Sequence, residues 1–424
     1  MNKNNELSVA ESIIAMASGR LSSEELVLDC LKQIENRDSD VEAWTEVNKQ
    51  WAIDQAKACD QANHRKSPLH GVPVAIKDLI DTADLTTTYG SNIYKDHTPN
   101  ADAACVNILK KAGAVILGKT VSTEFAYYSP GATKNPRNLD HTPGGSSSGS
   151  AAAVADYHVP FALGTQTVGS MIRPGSFNGI VAMKPSFGTI PYAGTKSLSP
   201  SLDTIGTFSR TIGDQRILLT TLAPHLHISD AKKDPTIAIC KTPFWSEATP
   251  DMQTAFTDYA DKIKQAGYQT EEYELGPDFY DLASAQFDIM ASEASRCLAH
   301  EASHAKNQMS DHILSLITHG QQVTPEREVE CRHLLARCQY KLQQLFLQYD
   351  YFVTPATPGE APKGVHATGD PVFNRIWTYL GNPCLTYPIA LGENNLPMGI
   401  QIIAPMYADH SLIDFSDKLH SKTL

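Results

Sequence analysis

Residues 144–155 read GGSSSGSAAAVA and crowd four serines (Ser146, Ser147, Ser148 and Ser150) behind two glycines. A serine hydroxyl attacks a carbonyl only when a base within about 2.6–3.2 Å takes its proton. Residues 145–149 fit G-x-S-x-G with Ser147 at the centre, the pattern of a strand–turn–helix nucleophile elbow. His141 and His158 could complete a Ser-His-Asp set with it. An elbow needs an apolar strand directly before it, and KNPRNLDHTP is polar and ends in proline. A second cluster, GTQTVGSMIRPG at 164–175, offers a single Ser170, an Arg173 and closely spaced backbone N–H groups around Gly169. Such groups could form an oxyanion hole. Upstream, GVPVAIKD puts Lys77 at the end of an apolar strand. A lysine there either reaches the surface or is buried, and burial lowers its pKa and makes it a base. Residue types alone leave nucleophile and base open.

One apparent motif is excluded by its own mechanics. GAVILGKT at 113–120 fits the phosphate-loop letters G-x-x-x-x-G-K-T. The four middle residues should form an open loop whose N–H groups hold phosphate. Ala-Val-Ile-Leu is instead buried-strand sequence lying between the glycines, which argues against nucleotide binding.

These groups need elements to position them. After GGSSSGS, the run AAAVADYHVPFALGT is helix-prone and then strand-like, which opposes a flexible Ser/Gly linker. A Gly-rich turn before a helix offers free backbone donors. Strands are expected at 72–76, 114–117, 159–163, 180–184, 236–240 and 351–354. Ser8-x-x-Glu11 and Ser22-x-x-Glu25 are capping boxes. A helix over 103–112 should stop at Gly113. Thr249-Pro250 and Thr324-Pro325 open long helices, the second running to about Tyr349 with Leu334, Leu335, Cys338, Leu342 and Leu345 inward. Short apolar strands alternating with helices predict an α/β sheet covered on both faces. The Gly/Pro-rich stretch 357–371 reads as a long loop beside a site.

The 424 residues are 42% hydrophobic and 19% charged, with net charge −12. No basic stripe appears, so nucleic acid and anionic membrane are excluded as expected partners. The N-terminus lacks a signal-peptide pattern, and no apolar run reaches 18 residues. Eight cysteines without metal spacing read as reduced, mostly buried thiols, which fits a cytoplasmic location.

Taken in order, HGVPVAIKD, GAVILGKT, STEFA, KNPRNLDHTPGGSSSGSAAAVA, LGTQTVGSMIRP and GIVAMKPSFG resemble the amidase signature family over about residues 65–215. Weaker similarity, TPATPGEAP and GNPCLTYP included, reaches the C-terminus. The resemblance implies a large mixed sheet covered by helices in one domain over 1–424. It implies amide hydrolysis through a Ser-Ser-Lys triad and an acyl-enzyme, with no metal or organic cofactor. By motif, Lys77 is the base, Ser146 the relay and Ser170 the nucleophile. Thr167, Val168, Gly169 and Ser170 supply the backbone oxyanion hole. Ser147 supports the site as a substrate-binding residue, and the family carries a cis peptide at the relay serine. Lys184, in AMKPS, is a base by type and is assigned a structural role.

The sequence departs from the family's usual G-T-D-T-G-G-S. Gln166 replaces the aspartate, and Arg173 stands three residues after Ser170. Both features resemble small-substrate, malonamidase-like amidases, which implies that Gln166 and Arg173 belong to substrate binding, the arginine through a substrate carboxylate. The alternative for Arg173 is an internal salt bridge. Val168 stands where glycine is usual, so either the backbone there is ordinary or the hole is altered. Gly175 and Asn178 also depart from the common residues. The expected partner is a small-molecule amide, and a homodimer is left open. A rival reading is the amidase component of a glutamyl-tRNA amidotransferase, which would need a partner chain. Another is a non-catalytic offshoot that binds an amide or acyl ligand.

Overall fold

The computed structural model describes residues 4–424. Its eleven strands join one sheet: β1 Trp44–Val47, β2 Pro73–Lys77, β3 Val115–Thr120, β4 Phe161–Gln166, β5 Val181–Lys184, β6 Thr204–Ser209, β7 Thr236–Lys241, β8 Gln269–Glu274, β9 Tyr351–Pro355, β10 Cys384–Leu391 and β11 Pro397–Ile403. The spatial order is β1-β3-β2-β4-β6-β5-β10-β11-β9-β7-β8. β3, β2 and β4 run parallel, as do β9, β7 and β8, while the strands between alternate in direction.

Successive side chains on a strand face opposite ways, and the buried clusters follow that rule. Val74 and Ile76, Phe161 and Leu163, and Ile237 and Ile239 share one core with the helices Ala104–Ala112, Ile212–Leu222, Pro250–Gln265 and Asp409–Thr423. Ala75, Val115, Leu117 and Ala162 face the helices Ser23–Val41 and Ser148–Ala155 on the other side. Farther along that second face, Ala238, Phe352 and Ile403 meet Pro277–Cys297, Asp311–Gln322 and Pro325–Leu345. The expected α/β sheet with helices on both faces is therefore present.

All six expected strands form, and the one after Gly113 continues through Gly118-Lys119-Thr120 to six residues. The letters of the false phosphate loop are thus strand. Lys119 is fully buried there and donates to Thr87 Oγ1 at 2.7 Å, and burial lowers its pKa to about 8. Both capping boxes close, and Gly113 ends its helix at φ +84°. The helix from Pro325 ends at Leu345, four residues short of expectation, and Leu334, Leu335 and Leu345 are only partly buried. All eight cysteines are free, six of them buried.

The helix Ser148–Ala155 is buried at every position. Small residues let it press on the strand ends: a Cβ added at Gly149 would lie 2.2 Å from the carbonyl oxygen of Ala43 and 2.4 Å from the nitrogen of Val121. Backbone cannot yield there. Gly149→Ala is expected to destabilise the protein by about 1–3 kcal/mol, and an unchanged denaturation midpoint would reject the close packing.

Candidate functional site

β2 and β4 are parallel neighbours, so Lys77 and the turn after Gln166 lie at the same end of the sheet's strands. Carboxyl ends of adjacent parallel strands are where open α/β sheets gather ligands. The chain reaches the third group by crossing from β3 through residues 121–147 into the helix Ser148–Ala155.

Lys77 is fully buried, with Nζ 2.7 Å from Ser146 Oγ and 2.8 Å from Thr165 Oγ1. No carboxylate among the described residues pairs with it. Burial holds its pKa well below the ordinary lysine value, and the more distant Asp203 opposes that shift only in part. The amine is therefore biased toward its neutral form. Lys184 is buried too, but its Nζ donates to the adjacent Pro185 carbonyl at 2.8 Å.

Ser146 follows a cis peptide bond from Gly145. Gly144 turns the chain into that segment at φ +80°, with Phe177 and Pro174 where a side chain would stand. Arg173 donates to the carbonyls of Gly145 and Gly369, clamping the serine turn to the loop 357–371. Ser147 lies beneath, accepting from Thr165 N–H and donating to the Thr165 carbonyl. It ties the turn to β4 and does not line the cavity.

Ser146, Thr167, Val168, Ser170 and Arg173 line one small cavity. Tyr127, Tyr128, Leu198, Met290, Thr368 and Pro371 complete most of its wall. The N–H groups of Thr167, Val168, Gly169 and Ser170 have no acceptor among the described residues, so four consecutive donors remain for a ligand oxygen. Val168 has an ordinary negative φ, being absent from the residues with φ above zero, and its side chain packs partly buried against the helical core. Of the two alternatives the sequence left, the unstrained backbone holds.

Gln166 differs from its expected role. Its Oε1 accepts from Met171 N–H and Ile172 N–H at 2.8 and 3.1 Å, and its Nε2 donates to Thr378 Oγ1 at 2.8 Å. Both polar atoms of its side chain are used inside the protein and neither faces the cavity, so Gln166 secures the start of the helix Ile172–Asn178. Thr167 is held in turn by Asp203, whose Oδ1 accepts from Thr167 Oγ1 at 2.6 Å. Asn178 donates to the carbonyls of Pro143 and Pro174, bracing the same turn.

Arg173 is 3% exposed and forms no salt bridge among the described residues, which removes the internal ion pair as its explanation. Burial lowers its pKa to about 10, so it stays charged at neutral pH. Its Nε has no partner among the described residues. A buried cation without a counter-ion among the described residues thus shares the cavity wall with Ser170.

The two histidines are elsewhere. His141 Nδ1 meets the Ala361 carbonyl at 2.7 Å, and His158 lies between Trp44 and Asp156. Sequence reading missed the aromatic wall. Phe125 and Ala126 just before it have φ of 46° and 63°, an uncommon conformation that no residue type there signals. No helix among the described residues is long and apolar enough to cross a membrane.

Comparison with known proteins shows the family. The Amidase family model matches residues 25–413. The glutamyl-tRNA(Gln) amidotransferase A-subunit of Agathobacter rectalis is 31% identical, covering 92% of this chain and 88% of the relative. The protein of the same name from Halalkalibacterium halodurans is 32% identical, covering 92% of each chain. The crystal structure of peptide amidase from Stenotrophomonas maltophilia superposes with a TM-score of 0.85 at 26% identity, covering 99% of this chain and 97% of that one. With the family model spanning most of its length, and the site described above lying inside that span, the chain belongs to the amidase family.

Proposed function

We infer that the protein hydrolyses the carboxamide of a small, carboxylate-bearing compound through Lys77, Ser146 and Ser170. The observation that carries this reading is Arg173, a buried guanidinium without a counter-ion among the described residues, in the cavity lined by both serines. Neutral Lys77 donates one hydrogen to Thr165 and accepts one from Ser146, whose oxygen takes the proton of Ser170. The Ser170 oxygen attacks the amide carbonyl, and the free N–H groups of residues 167–170 receive the developing oxyanion. The proton returns through Ser146 to the leaving nitrogen. Water then attacks the acyl-enzyme by the same relay and releases the acid.

The curated relatives favour a second reading, and by sequence it is the better supported: the amidase component of a glutamyl-tRNA amidotransferase. The two readings share the acyl-enzyme and differ in where the nitrogen goes. Ammonia release by the isolated chain separates them. Hydrolysis of succinamate well above butanamide supports the stand-alone enzyme. Release from none of succinamate, butanamide or L-glutamine, restored by a partner chain, supports the amidotransferase component.

The carboxylate contact has its own test. Arg173→Ala is expected to lower kcat/KM for succinamate by about 100-fold, the loss of a buried charge pair, and for butanamide by less than about tenfold. Equal losses on the two amides would remove the contact.

A further inference from the structure

The oxyanion turn is gripped by a residue 210 positions away in the chain. Thr378 lies on the short helix Arg375–Leu380 and is 2% exposed. Its Oγ1 donates to the Val168 carbonyl at 2.6 Å and accepts from Gln166 Nε2 at 2.8 Å. The competing acceptor, the Asn374 carbonyl of its own helix, is farther at 3.1 Å. Since Gln166 Oε1 holds Met171 N–H and Ile172 N–H, a chain of hydrogen bonds runs around Ser170. It starts at the Val168 carbonyl, passes through the Thr378 hydroxyl and the Gln166 amide, and ends at the first turn of the next helix. Asn374 adds a steric stop: a Cβ on Gly169 would stand 2.3 Å from its Oδ1.

A peptide unit is planar, so the direction of one carbonyl dictates the direction of the following N–H. Holding the Val168 carbonyl toward Thr378 turns the Gly169 N–H the opposite way. That N–H is one of the four donors without an acceptor among the described residues. We propose that Thr378 is a positioning residue for catalysis, whose hydroxyl aims the Gly169 N–H at the developing oxyanion. It touches no reacting atom. The turn carries valine where the usual pattern has glycine, and the Thr378 bond fixes the peptide immediately after that valine. The role rests on the reading of Ser170 as nucleophile.

A small alkyl fluorophosphonate tests both statements separately. Ser170 Oγ forms a bond to phosphorus, the P–F bond breaks, fluoride leaves with the electron pair, and the serine proton passes through Ser146 to Lys77. The phosphoryl oxygen takes the oxyanion position. Thr378→Ala and Thr378→Ser differ only by the hydroxyl. The serine variant should label within about threefold of wild type at saturating probe, and the alanine variant about tenfold slower or more. The half-saturating probe concentration should change little in either. End-point stoichiometry counts folded sites, so a partly misfolded variant still yields a rate per site. Equal saturating rates in the two variants would overturn the positioning role. Peptide mass spectrometry identifies the labelled residue, and modification of a serine other than Ser170 would overturn the mechanism beneath it.

Discussion

Ser170→Ala is expected to lower amide turnover by about 10⁴-fold or more, the scale seen when a covalent nucleophile is removed. The residual rate should come from the oxyanion donors and the binding pocket alone. The substitution removes one oxygen and adds no bulk, and Ser170 Oγ makes no hydrogen bond among the described residues that its loss would break. Thermal stability should therefore stay near that of wild type, which separates a chemical defect from a folding one. Ammonia release measured on succinamate gives the rate. Retention of more than about a tenth of wild-type activity would exclude Ser170 as nucleophile.

The second large effect concerns Lys77 and has two readouts of opposite sign. Lys77→Met should lower kcat by about 10³-fold, since proton transfer by a positioned base contributes on that order. The same change should relieve a cost to folding. Burial holds the Lys77 pKa well below its unfolded value of 10.5. Between the folded-state pKa and 10.5, the unfolded chain binds one proton more than the native chain. Wild-type stability therefore rises with pH across that window by about 1.4 kcal/mol per pH unit from this group. The methionine variant lacks that slope. Its stability relative to wild type should be greatest near the lower end of the window and shrink steadily as pH approaches 10.5. Hydrogen bonds lost at Ser146 and Thr165 are independent of pH and shift this difference without tilting it. A flat difference between about pH 7 and 10 would mean that Lys77 is charged in the fold. Activity follows the same titration: as pH falls through the folded pKa, Lys77 takes a proton and hydrolysis is lost.

Much of the site was legible because its motifs are local. GVPVAIK is a strand ending in a lysine, and the six residues of β4 lead directly to the turn at Ser170. The strands that escaped reading have physical reasons for it. β8, QTEEYE, is an edge strand, largely solvated and charged, with no apolar alternation to announce it. β6, TIGTFS, carries a glycine whose missing side chain admits the Met183 carbonyl, which lies 2.3 Å from an ideal Cβ position. The resemblance to malonamidase-like amidases assigns Gln166 to substrate binding. Its partner Thr378 is 212 residues away, and no local pattern discloses that Gln166 is already occupied. Arg173 shows the converse. Its forked shape fits a carboxylate from sequence alone, but only the fold reveals that no acid among the described residues claims it.

The clamp from the loop 357–371 and from Thr378 has a bearing on how the molecule comes into being. Synthesis delivers Lys77, Ser146 and Ser170 long before Gly369 and Thr378, and β10 and β11 come later still, though they stand in the middle of the sheet. Contacts this far apart in sequence form late and slowly. A nascent chain that ends before Gly369 therefore holds Lys77, Ser146 and Ser170 and lacks the hydrogen-bond partners that Gly369 gives Arg173 and Thr378 gives Val168. If the proposed mechanism holds, a chain truncated before Gly369 is expected to release no ammonia from succinamate, and full activity in such a truncation would show that these late contacts do not aim the site.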